Sequence, residues 1–329
     1  MPTLITGASG RIGRRLAARL GSKGHRIRAL VLPDDPALEE LRRGGIEVVT
    51  GSLTDRGAVQ EAVAGVRRIA HLAATMLWGD DVDHELFRHN VAGTFELLDA
   101  AAQQEVKLDR FFLASSDEVY PSLMARYSPI DENHPCNPYS FYGLTKETNE
   151  RFAFYYHRAH GIPVTVARFA LTARSEEILR PDGWSGRFLF VAPMRDLFLA
   201  LGRPEAAEAL DVACSTDPRK TLVLARDEDG VPYGFHMCDV ADIVDGIELM
   251  LTSPSAIGQA FNLSGPAPFS YQTAVETLSA QTGMPFVDAR IPGEPIRIAH
   301  DISKARSILG YSPRWDIHRI IEAAVAGGH

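Results

Sequence analysis

The run T-G-A-S-G-R-I-G at residues 6–13 constrains this chain more than any other stretch, because of what stands on either side of it. Before it lies a short apolar run, Thr3 to Ile5, and after it comes Ile12 to Leu20 with helical spacing. Glycines at positions 7, 10 and 13 between a strand and a helix allow a tight turn and a close approach of backbone to a ligand. The unbonded N–H groups and dipole at the start of a helix then stabilise a phosphate. The loop therefore reads as a dinucleotide cradle, with Gly7, Ser9, Gly10, Arg11, Ile12 and Gly13 as its expected contacts.

Beyond the loop, apolar runs at Arg26–Leu30, Ile46–Val49, Arg68–Leu72, Arg110–Ala114 and Pro163–Arg168 read as buried strands. Segments of helical period such as Phe87–Ala101 alternate with them. Regular alternation predicts an α/β fold, a doubly wound parallel sheet with helices on both faces. After Arg168 the alternation breaks. Residues 174–204 mix Trp184, Phe188, Phe190 and Phe198 with arginines, and 210–234 is polar and turn-rich. A dinucleotide-binding domain over 1–170, rejoined by a segment near 236–265, and a smaller C-terminal substrate lobe over 171–235 and 266–329 are expected.

The chain has 329 residues and a net charge of −8. That charge argues against a nucleic-acid or anionic-membrane surface and favours a small-molecule partner. Cys136, Cys214 and Cys238 are far apart, without a C-x-x-C pair, so neither a disulfide framework nor a metal site is expected. No apolar stretch of about 18 residues is present to span a bilayer. The expected setting is cytoplasmic.

Tyr142 and Lys146 stand four residues apart in Y-G-L-T-K, on one face of a predicted helix. An ammonium beside a phenol favours the phenolate, so the pair is expected to lower the Tyr142 pKa and exchange a carbinol proton. Ser116 follows the Arg110–Ala114 strand, at the sheet edge where ligands of this architecture bind, with a hydroxyl suited to the same oxygen. The second strand ends Leu30-Val31-Leu32, with Asp34 and Asp35 just beyond and no Arg or Lys at its end. Acidic groups there suit ribose hydroxyls, so NAD is expected, with NADP not excluded.

With these residues in view, the sequence resembles the extended short-chain dehydrogenase/reductase superfamily, specifically its NAD-dependent epimerase/dehydratase group. The resemblance rests on T-G-A-S-G-R-I-G, H-L-A-A at 71–74, N-V-A-G-T at 90–94 and S-S-D-E-V-Y at 115–120. It continues through P-Y-S-F-Y-G-L-T-K at 138–146, H-M-C-D-V-A-D at 236–242 and D-I-S-K-A-R-S-I-L-G-Y at 301–311. It implies a Rossmann sheet, Tyr142 as catalytic acid/base, Lys146 on the nicotinamide ribose and Ser116 completing the triad. It also implies cofactor contacts from Leu53, Leu72, Ala73 and Ala74, with Asn90 organising the active-site helix and its cofactor edge. A homodimer through the helices matching 87–101 and 142–158 is implied as well.

S-D-E-V-Y resembles the segment that supplies an acid and a base in nucleotide-sugar 4,6-dehydratases, which by position makes Asp117 the acid and Glu118 the base. Several positions depart from the family pattern: Ser52-Leu53-Thr54-Asp55, Pro121 after Tyr120, Phe169-Ala170-Leu171-Thr172 and Pro232. The leading expectation is an epimerase or dehydratase acting on a carbohydrate or nucleotide-sugar hydroxyl by transient hydride transfer. A net dehydrogenase or reductase of a small hydroxy or keto substrate is the alternative. A non-catalytic dinucleotide sensor is a third, disfavoured by the presence of both Tyr142 and Lys146.

Overall fold

The computed structural model describes residues 1–77 and 82–327, so the last two positions of the expected C-terminal lobe lie outside the described residues. The first half of the chain supplies strands β1 (Thr3–Thr6), β2 (Ile27–Val31), β3 (Glu47–Thr50), β4 (Arg68–His71), β5 (Arg110–Ser116) and β6 (Val164–Phe169). The second half supplies β7 (Leu171–Ala173), β8 (Leu222–Arg226), β9 (Gly234–Phe235), β10 (Met237–Asp239), β11 (Gln259–Leu263), β12 (Phe269–Ser270) and β13 (Phe286–Arg290).

Seven of these strands form one parallel sheet in the order β11-β6-β5-β4-β1-β2-β3. The chain winds outward from β1 to β3 and then returns to the far side of β1 as β4. The carboxyl ends of β1 and β4 therefore border the crevice where sheets of this kind take ligands. Their register pairs Thr6 with His71 at that edge. The apolar runs of β1 and β5 are buried at every residue, as expected for a sheet covered on both faces.

The helix Arg11–Ser22 turns Gly13, Leu16, Ala17 and Leu20 inward, the spacing of one helical face. Burying each of the two leucines stabilises the fold by roughly 1.5–3 kcal/mol. Beneath the sheet this helix shares a core with the helix Val240–Thr252 and with Ile302, Ala305, Leu309 and Tyr311 near the C-terminus. A separate core forms from the second half of the chain, where Phe190, Phe198, Tyr271, Ile320 and Ile321 enclose β8.

Two local expectations change. The turn-rich reading of 210–234 misses β8, which is buried over Leu222–Ala225 and pairs in parallel with β13. Four apolar residues inside a polar stretch are too few to show a period. The expected helix over 87–101 is interrupted: a helical turn at Asp83–Leu86 widens into a π-helical segment, Phe87–Ala92, before the α-helix Gly93–Gln103. Such widened turns concentrate at functional sites.

Candidate active site

Ser140 caps the helix Phe141–His160, its Oγ accepting the Gly143 N–H at 2.9 Å, and Gly161, left-handed at φ +71°, ends it. Ser140 Oγ also donates to the Glu118 carboxylate, which ties the helix start to the 3-10 turn Asp117–Val119 that follows β5. Gly143 makes that approach possible. A Cβ there would lie 2.3 Å from the Glu118 carbonyl oxygen and 2.9 Å from Pro138, closer than atoms tolerate. We expect Gly143→Ala to push the helix off the turn by about 1 Å and cut turnover on the order of 10²-fold in steady-state assays. Its far-UV circular dichroism should match the parent.

The four-residue spacing sets both Tyr142 and Lys146 on the buried face of this helix, at 8% and 4% exposure. Lys146 Nζ lies 5.5 Å from the Tyr142 ring centroid and donates to the Ala114 carbonyl at 2.9 Å. The expected lowering of the tyrosine pKa is not found. Burial, together with the Glu118 and Asp117 carboxyls, pushes Tyr142 above its ordinary value. The Lys146 ammonium sits over the ring and bonds to a carbonyl, and burial lowers its own pKa to about 8. Unaided, this pocket holds the phenol, the acid form.

Ser116 is the last residue of β5. Its Oγ accepts the Glu118 N–H at 3.2 Å and donates to Asp117 Oδ1 at 3.2 Å. Burial, then the neighbouring Glu118, raises the Asp117 pKa to about 7. Five of the residues singled out by sequence, Ser116, Asp117, Glu118, Tyr142 and Lys146, thus converge at the carboxyl edge of β5.

At the glycine loop, Gly7 is left-handed at φ +71°, and a Cβ on it would meet the Ala73 nitrogen at 2.8 Å. A Cβ on Gly13 would fall 2.1 Å from the Gly7 carbonyl oxygen. The loop is thus packed backbone to backbone, leaving the first N–H groups of the helix, at Arg11, Ile12 and Gly13, without intrahelical partners. Ser9 Oγ donates to Asp35 Oδ2 at 2.6 Å, and Asp35 Oδ1 accepts the Ala37 N–H at 2.8 Å, so Asp35 is fixed beyond the end of β2. A cavity of about 310 Å³ opens over Ser9, Gly10 and Arg11, rimmed by Arg14, Arg15 and Arg174. The Arg11 guanidinium turns toward the segment after β6, pairing with Glu177 and donating to the Thr172 carbonyl at 3.2 Å.

Leu72, Ala73 and Ala74 follow β4, and their path is set by two side chains. Thr6 Oγ1 accepts the Ala73 N–H at 3.2 Å, and Asn90 holds Thr75 through both its N–H and its carbonyl, at 2.7 and 2.9 Å. The Asn90 carbonyl in the widened turn takes the Thr94 hydroxyl at 2.6 Å and Asn149 Nδ2 at 3.0 Å. Because Thr94 spends its proton on Asn90, His71 Nε2 donates to Thr94 at 2.9 Å and His71 Nδ1 accepts from Thr6 at 2.7 Å. Burial pushes His71 down to about 3, consistent with this neutral ring. Leu53 packs against Gly93, where a Cβ would come within 2.8 Å of it. Asp55, from the departing S-L-T-D segment, caps the helix Arg56–Val63.

Three contributors escaped sequence reasoning. Ser140 had a signal, a cap residue two positions before Tyr142. Glu150 had one too, lying four residues beyond Lys146 on the same face. It forms a buried ion pair with Arg168 at 2.7 Å, and Arg168 reaches Tyr120 Oη at 2.7 Å, which donates to Asn262 Oδ1 at 2.8 Å. His300, whose Nε2 is 3.5 Å from Asp117 Oδ2, had none. Of the scattered arginines, Arg174, Arg180 and Arg195 pair with acidic neighbours, and Arg187 stacks on Trp184 at 3.8 Å.

Residues 3–173 match the NAD dependent epimerase/dehydratase family. Two relatives extend the likeness over nearly the whole chain. A dTDP-glucose 4,6-dehydratase of Streptomyces griseus is 28% identical, covering 99% of this chain and 93% of the relative. A UDP-glucose 4-epimerase of Rhizobium meliloti is 26% identical, covering 98% and 95%. A short-chain dehydrogenase/reductase superfamily protein from Agrobacterium tumefaciens, solved with bound NAD, superposes at a TM-score of 0.88 with 34% identity, covering 99% of this chain and 96% of that one. A family match spanning more than half the sequence agrees with the doubly wound sheet and the backbone-packed glycine loop, and the chain belongs to the NAD dependent epimerase/dehydratase family of short-chain dehydrogenase/reductase enzymes.

Proposed function

We propose that this enzyme oxidises a hydroxyl of a nucleotide-linked sugar transiently, with tightly held NAD, and returns the hydride to the same molecule in an epimerisation or dehydration. The observation that carries this reading is the convergence of Tyr142, Ser116 and a carboxyl pair, Asp117 and Glu118, on one sheet edge next to the glycine loop. The two relatives named above, one an epimerase and one a dehydratase, support it.

The residues present fit NAD. In this reading the first-turn N–H groups of residues 11–13 would hold the pyrophosphate, Asp35 would take ribose hydroxyls, and Leu53, Leu72, Ala73, Ala74 and Asn90 would border the cofactor. A fixed carboxylate at Asp35 repels a 2'-phosphate and so favours NAD over NADP. When bound, NAD would supply the hydride acceptor and donor, and an oxidised ring nearby would lower the cost of a Tyr142 phenolate. Tyr142 then takes the carbinol proton and later gives it back, Ser116 holds the same oxygen, and Lys146 keeps a positive charge beneath the tyrosine ring. Where the product is dehydrated, Glu118 removes the proton made acidic by the neighbouring ketone. Asp117, neutral up to about pH 7, protonates the departing hydroxyl. That step fades as pH rises through about 7, because the acid form is lost.

A homodimer and a cytoplasmic setting belong to the same reading. Leu144 and Tyr155, eleven residues or three turns apart on one helix, are 45% and 53% exposed. Phe87 and Phe95 on the adjoining helical segment are 56% and 40% exposed, an apolar face suited to a second copy. Among the described residues no helix is long and apolar enough to cross a membrane.

The test uses UDP- and dTDP-hexoses deuterated at the oxidised carbon, with product mass and configuration as the readout. A closed cycle leaves the label in the product without net NADH. Stoichiometric NADH release would replace this reading with a net dehydrogenase. Glu118→Gln is expected to retain hydride transfer while lowering dehydration by about 10²–10⁴-fold, and a variant that still eliminates water at the parent rate would refute the assignment of the base.

A further inference from the structure

Asp117 faces a residue from the other end of the chain. His300 lies at 5% exposure, with Nε2 3.5 Å from Asp117 Oδ2, and neither of its ring nitrogens has a hydrogen-bond partner among the described residues. Its place is set by backbone bonds on both sides: Ile130 N–H to the Ala299 carbonyl and Asp301 N–H to the Ile130 carbonyl, each 2.8 Å. The His300 N–H itself donates to His236 Nδ1 at 3.1 Å. His236 must therefore carry its proton on Nε2, which donates to the Gly265 carbonyl at 3.0 Å. The two imidazoles stack with centroids 5.9 Å apart. A rigid, neutral His236 thus backs His300 and holds its ring facing Asp117.

A buried polar ring with both nitrogens unused is rare in folded proteins and calls for an explanation. The surroundings supply one. Burial holds His300 down at about 3 and lifts Asp117 to about 7, so between these values His300 is a neutral imidazole facing a carboxylic acid. The other groups acting on the pair are Glu118 and Tyr142 beside Asp117, and His236, itself under the charge of Arg306, beside His300. Glu118 in turn acts on Lys146 and Arg187.

We propose that His300 is a positioning residue for Asp117: its Nε2 accepts the hydrogen bond of the Asp117 carboxylic acid in the resting site, holding the carboxyl beside Ser116 until its proton is given up to the departing hydroxyl. The C-terminal lobe thereby completes the acid of the active site from a residue far along the chain. This role rests on Asp117 acting as the acid of the reaction proposed above, but the contact itself is measurable without substrate.

The first measurement is a pH titration of the full chain, loaded with NAD and labelled with ¹⁵N-histidine, the His300 signals being identified by their loss in His300→Gln. The His300 Nε2 shift is expected to step near neutral pH, and the step to vanish in Asp117→Asn. No step in the parent, or an unchanged step in Asp117→Asn, overturns the proposal. The second measurement compares His300→Phe and His300→Gln with the parent in turnover. Removing the acceptor is expected to lower kcat about tenfold with KM unchanged, and to move the upper limb of the kcat–pH profile by about one unit, with partial recovery in the glutamine variant. A merely structural role would lower thermal stability while leaving that limb in place, and this result also overturns the proposal. A coupled titration in a protein that turns over none of the sugar nucleotides would uphold the Asp117–His300 contact and locate the failure in the functional reading.

Discussion

Tyr142→Phe is expected to bind NAD as the parent does and to lose turnover by roughly 10²–10⁴-fold, because the proposed mechanism loses only the group that exchanges the carbinol proton. The buried ring beside Lys146 stays, so neither the fold nor the glycine loop should change. The readouts are bound nucleotide, released by denaturation and quantified, and the rate of hydride transfer in a single turnover. Equal rates in variant and parent would remove Tyr142 from the mechanism. The pocket itself favours the phenol, since burial and the carboxyls of Glu118 and Asp117 act against a phenolate. Proton abstraction by Tyr142 should therefore depend on nearby positive charge, and a variant in which Lys146 is neutral should weaken it further.

Glu150→Ala should produce the largest loss of stability of any single change near the site, about 3–5 kcal/mol, because it strands the Arg168 guanidinium in the interior. Burial works against that charge, and the Glu150 carboxylate more than offsets it, holding Arg168 above its ordinary value. Glu150 also accepts from Ser115 Oγ, and Arg168 leads on through Tyr120 to Asn262, so one truncation leaves several buried polar groups short of a partner. For a chain of this size the melting temperature should fall on the order of 10 °C in a calorimetric scan. A change of one or two degrees would show that the network is replaceable. Ser115 adjoins Ser116 in β5 and Glu150 lies one helical turn beyond Lys146, so kcat of the surviving folded enzyme should fall as well.

Much of the cofactor half was legible because its determinants are local. A glycine run between a strand and a helix has one packing solution, in which Gly7 meets Ala73 and Gly13 meets Gly7. A tyrosine and a lysine one helical turn apart must share a face wherever the helix is placed. The strands of the main sheet were visible as apolar runs because a parallel strand is buried on both faces. Strand β8 was not, since its four apolar residues sit inside a polar stretch and are buried by partners distant in the chain, among them β13, more than sixty residues later.

The amino-acid sequence by itself determined the doubly wound sheet, the glycine cradle and the shared face of Tyr142 and Lys146, all consequences of backbone geometry and side-chain period within a few residues. Only the tertiary structure decided the electrostatics of the site. Tyr142 is pushed up rather than down, the Arg11 guanidinium is drawn to Glu177, and Asp117 is set against His300. These depend on burial and on partners distant in the chain, and the charge a buried group carries is set by what the fold places around it, which no local pattern records.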